Sequence, residues 1–371
     1  METKPLKTNK KRVDFSRYIN KYRRKIMGAL TKNVGKSQFK TVINTNTKPE
    51  IKKILIIRPN HRLGNLLLTT PLVKEVVQEF PDCEIDLLAK GKLAPIVFCK
   101  YSNIKNFILL PRKPFSEIIK YCYIWVKVKT FKYDLVVNAT KDSSSGRLLT
   151  SISNSKYKVF GEIDDLKTAE SKHMAKNPIY NLRDYLSRIG LKRNNKSIAQ
   201  LDLKLTNNEL IKGKNILDKI VQNDKKTISI FTYATGKKCY SKTWWNEFYT
   251  QLKASHKDYN IIEILPIENI SQIDFAAQSF YSKDIREIAS VIANTTLFIG
   301  ADSGIMHLAS AAKTTTVGLF SVTKTAKYMP YGNGSIALHT NKTTISECIT
   351  EIDKILDKKK KSTLTLSEYY I

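Results

Sequence analysis

Asp302, Ser303, Gly304 and His307 put a carboxylate, a hydroxyl, a glycine and an imidazole into six consecutive positions. The chemistry this offers is recognition of an anion. Leu297–Gly300 reads as a short buried strand, and from Ile305 the apolar positions 305, 308, 309 and 312 mark one face of a helix. Asp302 or Ser303 then caps that helix, whose free N–H groups point out of the turn. A strand, a small polar turn and a helix start make an anion site at the carboxyl end of a strand, where open α/β sheets bind ligands.

Two further loops follow strands in the same way. Tyr233–Trp245 contains Thr235 and Gly236, which let the backbone approach a ligand, and Lys242, a mobile cation at a helix start. Arg58–Asn65 is the counterpart in the first half of the chain, with Gly64 near its tip. No Walker loop or GxGxxG fingerprint is present, and no His, Cys or Asp spacing reads as a metal site. Ordinary ATPases and dinucleotide enzymes lose ground accordingly.

The elements that must position these loops alternate. Strands are expected at Ile54–Ile57, Glu84–Ala89, Ile104–Leu109, Leu135–Asn138 and Lys158–Phe160, with helices near 70–80, 115–130 and 178–189. The chain turns polar at 190–207. A second alternating set follows, with strands Thr227–Tyr233, Ile261–Leu265, Leu297–Gly300 and Thr315–Phe320 and helices near 207–222, 244–255, 284–293, 305–312 and 345–356. This predicts α/β architecture with parallel sheets. The expected divisions are a basic arm (1–50), a first Rossmann-like domain (51–200), a second Rossmann-like domain (201–345) and a carboxyl-terminal helix with a Lys-rich tail (346–371).

Charge is the compositional outlier: 63 Lys and Arg against 33 Asp and Glu, a formal balance of +30 over 371 residues. Residues 1–50 hold fourteen basic and three acidic residues. Within them Phe15, Tyr18, Ile19, Tyr22, Ile26 and Leu30 share one helical face with Lys and Arg mainly off it, a pattern suited to an anionic membrane surface or to docking on the protein itself. A nucleic-acid partner rests on charge alone and is not expected. No apolar run reaches the roughly 18 residues of a membrane span. No export signal is evident behind Met1, and the five cysteines show no CxxC spacing. The expectation is a cytoplasmic protein with reduced thiols, peripheral at most on the inner face of the membrane.

Taken together, Ile299-Gly-Ala-Asp-Ser-Gly-Ile-Met-His-Leu-Ala309, Val317-Gly-Leu-Phe-Ser321, Pro330-Tyr-Gly332, Lys242-Thr-Trp-Trp245 and Gly64-Asn-Leu-Leu-Leu-Thr-Thr-Pro71 resemble the heptosyltransferases of glycosyltransferase family 9. The resemblance spans about Lys53 to Leu356. It implies a GT-B fold, two Rossmann-like domains facing across a cleft, and inverting, metal-independent transfer with no cofactor. The implied donor is a nucleotide sugar of the ADP-heptose type, and the implied acceptor is a lipid-linked, phosphorylated lipopolysaccharide glycan. Lys242 would hold the diphosphate with Thr235 and Gly236 beside it. Asp302 would contact sugar hydroxyls, Ser303, Gly304 and His307 would face the phosphates, and Glu268 is a candidate for the ribose. Arg58, Arg62, Lys141 and Arg147 would meet acceptor phosphates.

One position departs from the family. The Asp that follows the glycine of the first loop is here Asn65, and an amide cannot accept a proton at neutral pH, though its carbonyl can orient a hydroxyl. His61 in the same loop can serve as base. The base can instead come from elsewhere, such as Asp142 or the substrate, or the chain can bind a nucleotide sugar without transferring it.

Overall fold

The computed structural model describes residues 22, 25–26, 28–31, 33–35, 49–112, 116–161 and 170–368, the last nine by backbone alone. The part of the amphipathic arm at 15–21 lies outside the described residues.

The first domain runs β1 (Lys53–Arg58), α1 (Leu63–Leu67), α2 (Thr70–Glu79), β2 (Glu84–Lys90), α3 (Leu93–Phe98), β3 (Ile104–Leu110), α4 (Ile118–Thr130), β4 (Lys132–Asn138), α5 (Ser144–Ile152), β5 (Asn154–Val159) and α6 (Asn177–Arg188). Its five strands are parallel in the order β3-β2-β1-β4-β5. Strand alternation divides the core: Ile54 and Ile56 face α1–α3, while Leu55 and Ile57 face α4 and α5.

The second domain runs α7 (Asn207–Val221), β6 (Thr227–Phe231), α8 (Lys242–Ser255), β7 (Asn260–Ile264), β8 (Gln278–Phe280), α9 (Ile285–Ala293), β9 (Leu297–Ala301), α10 (Gly304–Ala311), β10 (Thr316–Phe320), α11 (Thr325–Tyr328), β11 (Ile336–His339) and α12 (Ile345–Glu368). Six parallel strands take the order β11-β10-β9-β6-β7-β8. Both sheets reverse direction of build between the first and fourth strand of their own set, the crevice where doubly wound sheets place ligands. The loops after β1, β4, β6 and β9 flank those two crevices.

Most strands and the long helices lie where periodicity put them, but the strand expected at Lys158–Phe160 starts four residues earlier, at Asn154, because polar Asn154, Ser155 and Lys156 hide its start. β8 and β11 escaped it because three or four residues carry too little pattern. The short helices α1, α3 and α5 were missed for the same reason, and α12 runs past 356 because neither Gly nor Pro interrupts it. Cys348, Ile349, Ile352 and Leu356 of α12 belong to the second domain's core beside Trp245 and Phe248. Cys83 and Cys348 are buried, Cys99 and Cys122 exposed, and Cys239 lies between; all are free thiols.

Several contacts tie the domains together. Arg286 on α9 donates to Glu209 at 2.5 Å and to the carbonyls of Leu203 and Lys204, and reaches the Ile96 carbonyl of the first domain at 3.4 Å. Asp202 accepts from Lys74 and lies 3.6 Å from Lys313. The arm is tied down at its end: Arg147 donates to the Thr31 carbonyl (3.1 Å) and hydroxyl (2.8 Å). No helix among the described residues is long and apolar enough to cross a membrane.

Candidate active site

β1 delivers Arg58 to the crevice, where its side chain is buried at 3% exposure. Its guanidinium donates to the Asn65 carbonyl (3.3 Å) and to Asn65 Oδ1 (2.9 Å). Among the described residues no carboxylate pairs with it. Burial pulls its pKa down to about 10, opposed by Tyr328 across the cleft, so it stays charged at neutral pH. Arginine only donates, so the Asn65 amide must turn its oxygen to Arg58 and its NH2 away. The hydroxyl-orienting carbonyl expected of Asn65 is therefore already engaged, and the amide's free face donates.

His61 occupies the loop between β1 and α1, half-exposed, with Lys90, Arg112 and Arg62 around it. Burial first, then those three cations, hold its pKa below the usual 6.5. It is a neutral imidazole at pH 7, able to take a proton. Arg62 is exposed beside it, and Asn60 Oδ1 accepts the Arg62 amide at 2.9 Å.

Across the cleft, β9 ends at Ala301 and the sharp turn places Asp302 and Ser303 before α10. Ser303 caps the helix, accepting the Met306 amide at 3.3 Å. The amides of Gly304 and Ile305 have no partner within the helix. Asp302 is buried, 5% exposed, and receives Lys238 Nζ at 2.5 Å. Lys238 comes from the 3-10 turn Gly236–Lys238 that follows Thr235 and lies 5.9 Å from the Tyr328 ring centroid. Thr235 and Gly236 are exposed, and a Cβ on Gly236 would meet nothing. His307 is buried one turn into α10, its ring 6.4 Å from Tyr328. Burial drives its pKa down to about 4 against the pull of Asp302, so it is neutral.

The two loops touch. A Cβ on Gly64 would come within 2.7 Å of the His307 ring and 3.4 Å of Gly304 Cα; one on Gly304 would meet Leu63 and Gly64 at 3.4–3.5 Å. Glycine at both positions lets α1 and α10 meet with backbone against backbone. His173 completes the seam: its Nδ1 accepts the Ala175 amide, so Nε2 carries the proton and donates to the Met329 carbonyl at 2.9 Å.

The structure thus brings together Arg58, Asn65, Asp302, Ser303, Gly304 and His307. It distributes the other candidates differently. Lys242 pairs with Asp274 on the surface, so the cation beside Asp302 is Lys238. Arg147 is buried with its donors spent on Thr31 and on the Lys141 carbonyl (2.5 Å), because α5 points it into the arm's anchorage. Lys141 is half-buried, while Asp142 and Glu268 are exposed in loops after β4 and β7. Lys238, Tyr328 and His173 were not selected from sequence. Lys238 is one of three lysines in six residues, and only the fold tells them apart. Among the described residues no cluster of three or more His, Cys, Asp or Glu has the geometry to hold a metal.

Comparison with known proteins finds similarity in the segment that carries this site. Residues 282–357, from the approach to α9 into α12, match the family described as glycosyltransferase family 9 (heptosyltransferase). Lipopolysaccharide heptosyltransferase 3 of Escherichia coli is 22% identical over 302 residues, 74% of this chain and 85% of that protein. A family 9 glycosyl transferase from Veillonella parvula superposes with a TM-score of 0.62 at 17% identity, covering 84% of this chain and 91% of that one. E. coli heptosyltransferase WaaC, solved with ADP, gives 0.60 at 13% identity over 82% and 99%. Those structures share the GT-B arrangement of two Rossmann-like domains found here. The family's sequence pattern thus lies on the segment that carries Asp302, Ser303 and His307, within a chain that has the fold of the solved heptosyltransferases.

Proposed function

We propose that this chain is an inverting, metal-independent transferase moving heptose, or a related sugar, from a nucleotide diphosphate of the ADP-heptose type to a phosphorylated lipopolysaccharide-type glycolipid. The observation that carries the reading is the seam itself: the α10 start with Asp302 and Lys238 lies directly against the first-domain loop that holds Asn65. Support for the donor and acceptor comes from relatives, one named a lipopolysaccharide heptosyltransferase and one solved with ADP.

In this reading the Gly304 and Ile305 amides and Lys238 take up the charge that develops on the departing diphosphate. Asp302 holds Lys238 and is available to sugar hydroxyls. Neutral His307 braces the turn from behind without adding charge. His61 accepts the proton of the attacking hydroxyl, and the Asn65 NH2, fixed by Arg58, donates to an acceptor oxygen. Lys242, Thr235, Gly236 and Glu268 form the outer part of the donor side. Arg62, Lys141 and Arg112 give the first-domain loops a basic rim for acceptor phosphates, while Arg147 serves as a brace. The protein works in the cytoplasm, at the inner face of the membrane, through residues 15–30.

A second reading is favoured by one observation: Asn65 removes the carboxylate from the loop. There the chain binds a nucleotide sugar without transferring it. Incubation with ADP-heptose and a rough glycolipid extract in EDTA, following free ADP and the product's anomeric configuration, separates the two. Transfer with inversion is expected. Donor-dependent thermal stabilisation with no ADP release would establish the binder. His61→Gln is expected to lower turnover about 10²-fold, and in the parent the rate falls with acid along a limb below pH 6.5, where His61 protonates. Unchanged turnover and an unchanged limb would remove His61 as the base.

A further inference from the structure

α4 is apolar on two opposite faces. Ile124 and Val128 are buried against the first sheet, with Tyr121 and Trp125 packed beside them. The outward face carries Ile119 at 85% exposure, Tyr123 at 64% and Val126 at 59%, spaced i, i+4, i+7 as one stripe, with Ile118 and Phe131 exposed at its ends. The core cannot account for a second stripe. Lys120, Lys127 and Lys129 flank it on the helix, and Glu117, paired with Lys120, stands at the helix start.

The described part of the arm repeats this arrangement. Tyr22, Ile26 and Leu30, at i, i+4 and i+8, are 49%, 57% and 71% exposed. Its end is pinned through Thr31 to Arg147 of α5, and α5 packs against α4. α4 and the described apolar residues of the arm are thus joined to one helix of the first domain.

We infer that α4, together with the arm, is a docking surface for an anionic lipid bilayer, with its apolar stripe entering the headgroup boundary and its lysines meeting lipid phosphates. The rim chooses this occupant. A stripe edged by lysine fits an apolar layer edged by negative charge. A second copy would bring its own +30 against the same lysines. This extends the membrane role proposed for the arm and stands whether or not the chain transfers a sugar.

The test is flotation of the full chain with phosphatidylcholine vesicles, with and without phosphatidylglycerol. The parent is expected to float with the anionic vesicles and to be released by salt. Ile119→Glu with Tyr123→Glu and Val126→Glu is expected to lower partitioning at least about tenfold. Its thermal midpoint should hold, since all three side chains face solvent. A second variant, Lys120→Glu with Lys129→Glu, leaves the apolar stripe intact and is expected to weaken flotation as well. Tyr22→Glu with Ile26→Glu measures the arm's share. The proposal is overturned if the parent does not float, if both α4 variants float like the parent while the arm variant does not, or if the stripe instead mediates a dimer or captures an acidic protein without binding vesicles. Transfer to a soluble acceptor fragment reports on the catalytic reading alone, so the two can fail separately.

Discussion

The two loops that meet at the cleft are built on opposite principles. On the second-domain side Asp302 and His307 are buried, Ser303 closes the helix cap, and the charge of Lys238 is matched by a carboxylate. On the first-domain side Arg58 is buried and donates, among the described residues, to the Asn65 amide oxygen and carbonyl, and His61 stands half-open among Lys90, Arg112 and Arg62. One wall is preorganised and electrically balanced. The other buries Arg58 against an amide, with no carboxylate pairing with it among the described residues, which suits a wall that receives anionic groups from outside. Asn65 stands on this first-domain wall, where an Asp would give Arg58 a carboxylate partner.

The contrast breaks first at the seam. Gly64→Val puts methyl groups where a Cβ alone would be 2.7 Å from the His307 ring, in a place where both backbones are already in contact. Separation of the walls is expected to cost about 10²-fold or more in transfer through lost alignment and about 1–3 kcal/mol of stability through overpacking. Both are read from turnover and denaturant midpoints; a variant with parental turnover would show that the apposition is dispensable.

Next comes the choice of cation. Lys238→Ala leaves Asp302 buried without its partner and removes a positive charge from the leaving group, with an expected loss of about 10²-fold in kcat/KM. Lys242→Ala removes an exposed lysine paired to Asp274 and is expected to cost only a few-fold. The reverse order would return the diphosphate to Lys242.

A pH signature belongs to the second-domain wall. His307 is driven to about 4 when folded, against about 6.5 unfolded. Below 6.5 the unfolded chain therefore binds a proton that the folded chain refuses, and stability falls as pH drops from about 6.5 towards 4. His307→Gln should flatten that slope in urea midpoints measured across the window. A slope that survives the substitution would assign it to other groups.

The smallest effect sharpens the other wall. Asn65→Asp supplies Arg58 with a carboxylate and is expected to stabilise the fold by about 1 kcal/mol at neutral pH through a charge-assisted hydrogen bond. The carboxylate is held ionised by Arg58, so this gain is present at pH 7 and lost as pH falls below the ordinary Asp value of about 3.9. Thermal midpoints at pH 7 and pH 3 read it directly; no difference at pH 7 would mean that the amide already satisfies Arg58.

Legibility followed the length of the pattern. Ile54–Ile57 and Leu297–Gly300 announce buried strands because both faces are covered, and Gly300–His307 announces a ligand-binding turn because cap, glycine and helix periodicity coincide within one short stretch. β8 and β11 stayed hidden because a few residues cannot display a period. Lys238 and Lys242 look alike on the page. They differ only because a 3-10 turn aims one at Asp302 while the first turn of α8 leaves the other facing Asp274.

By itself, the sequence determined the alternation of strands and helices, the chemistry of the turn at Asp302–His307 and the amide, not a carboxylate, at position 65. These follow from local rules: periodicity, capping and the acid–base character of single side chains. Tertiary structure alone decided which groups act on one another. It set Gly64 against His307, turned the Asn65 oxygen to Arg58, matched Lys238 to Asp302, spent Arg147 on Thr31 and left the outer face of α4 bare. Each is a contact between residues distant in sequence or a burial that shifts a charge. Neither is written in local spacing, because distance and dielectric are properties of the packed chain.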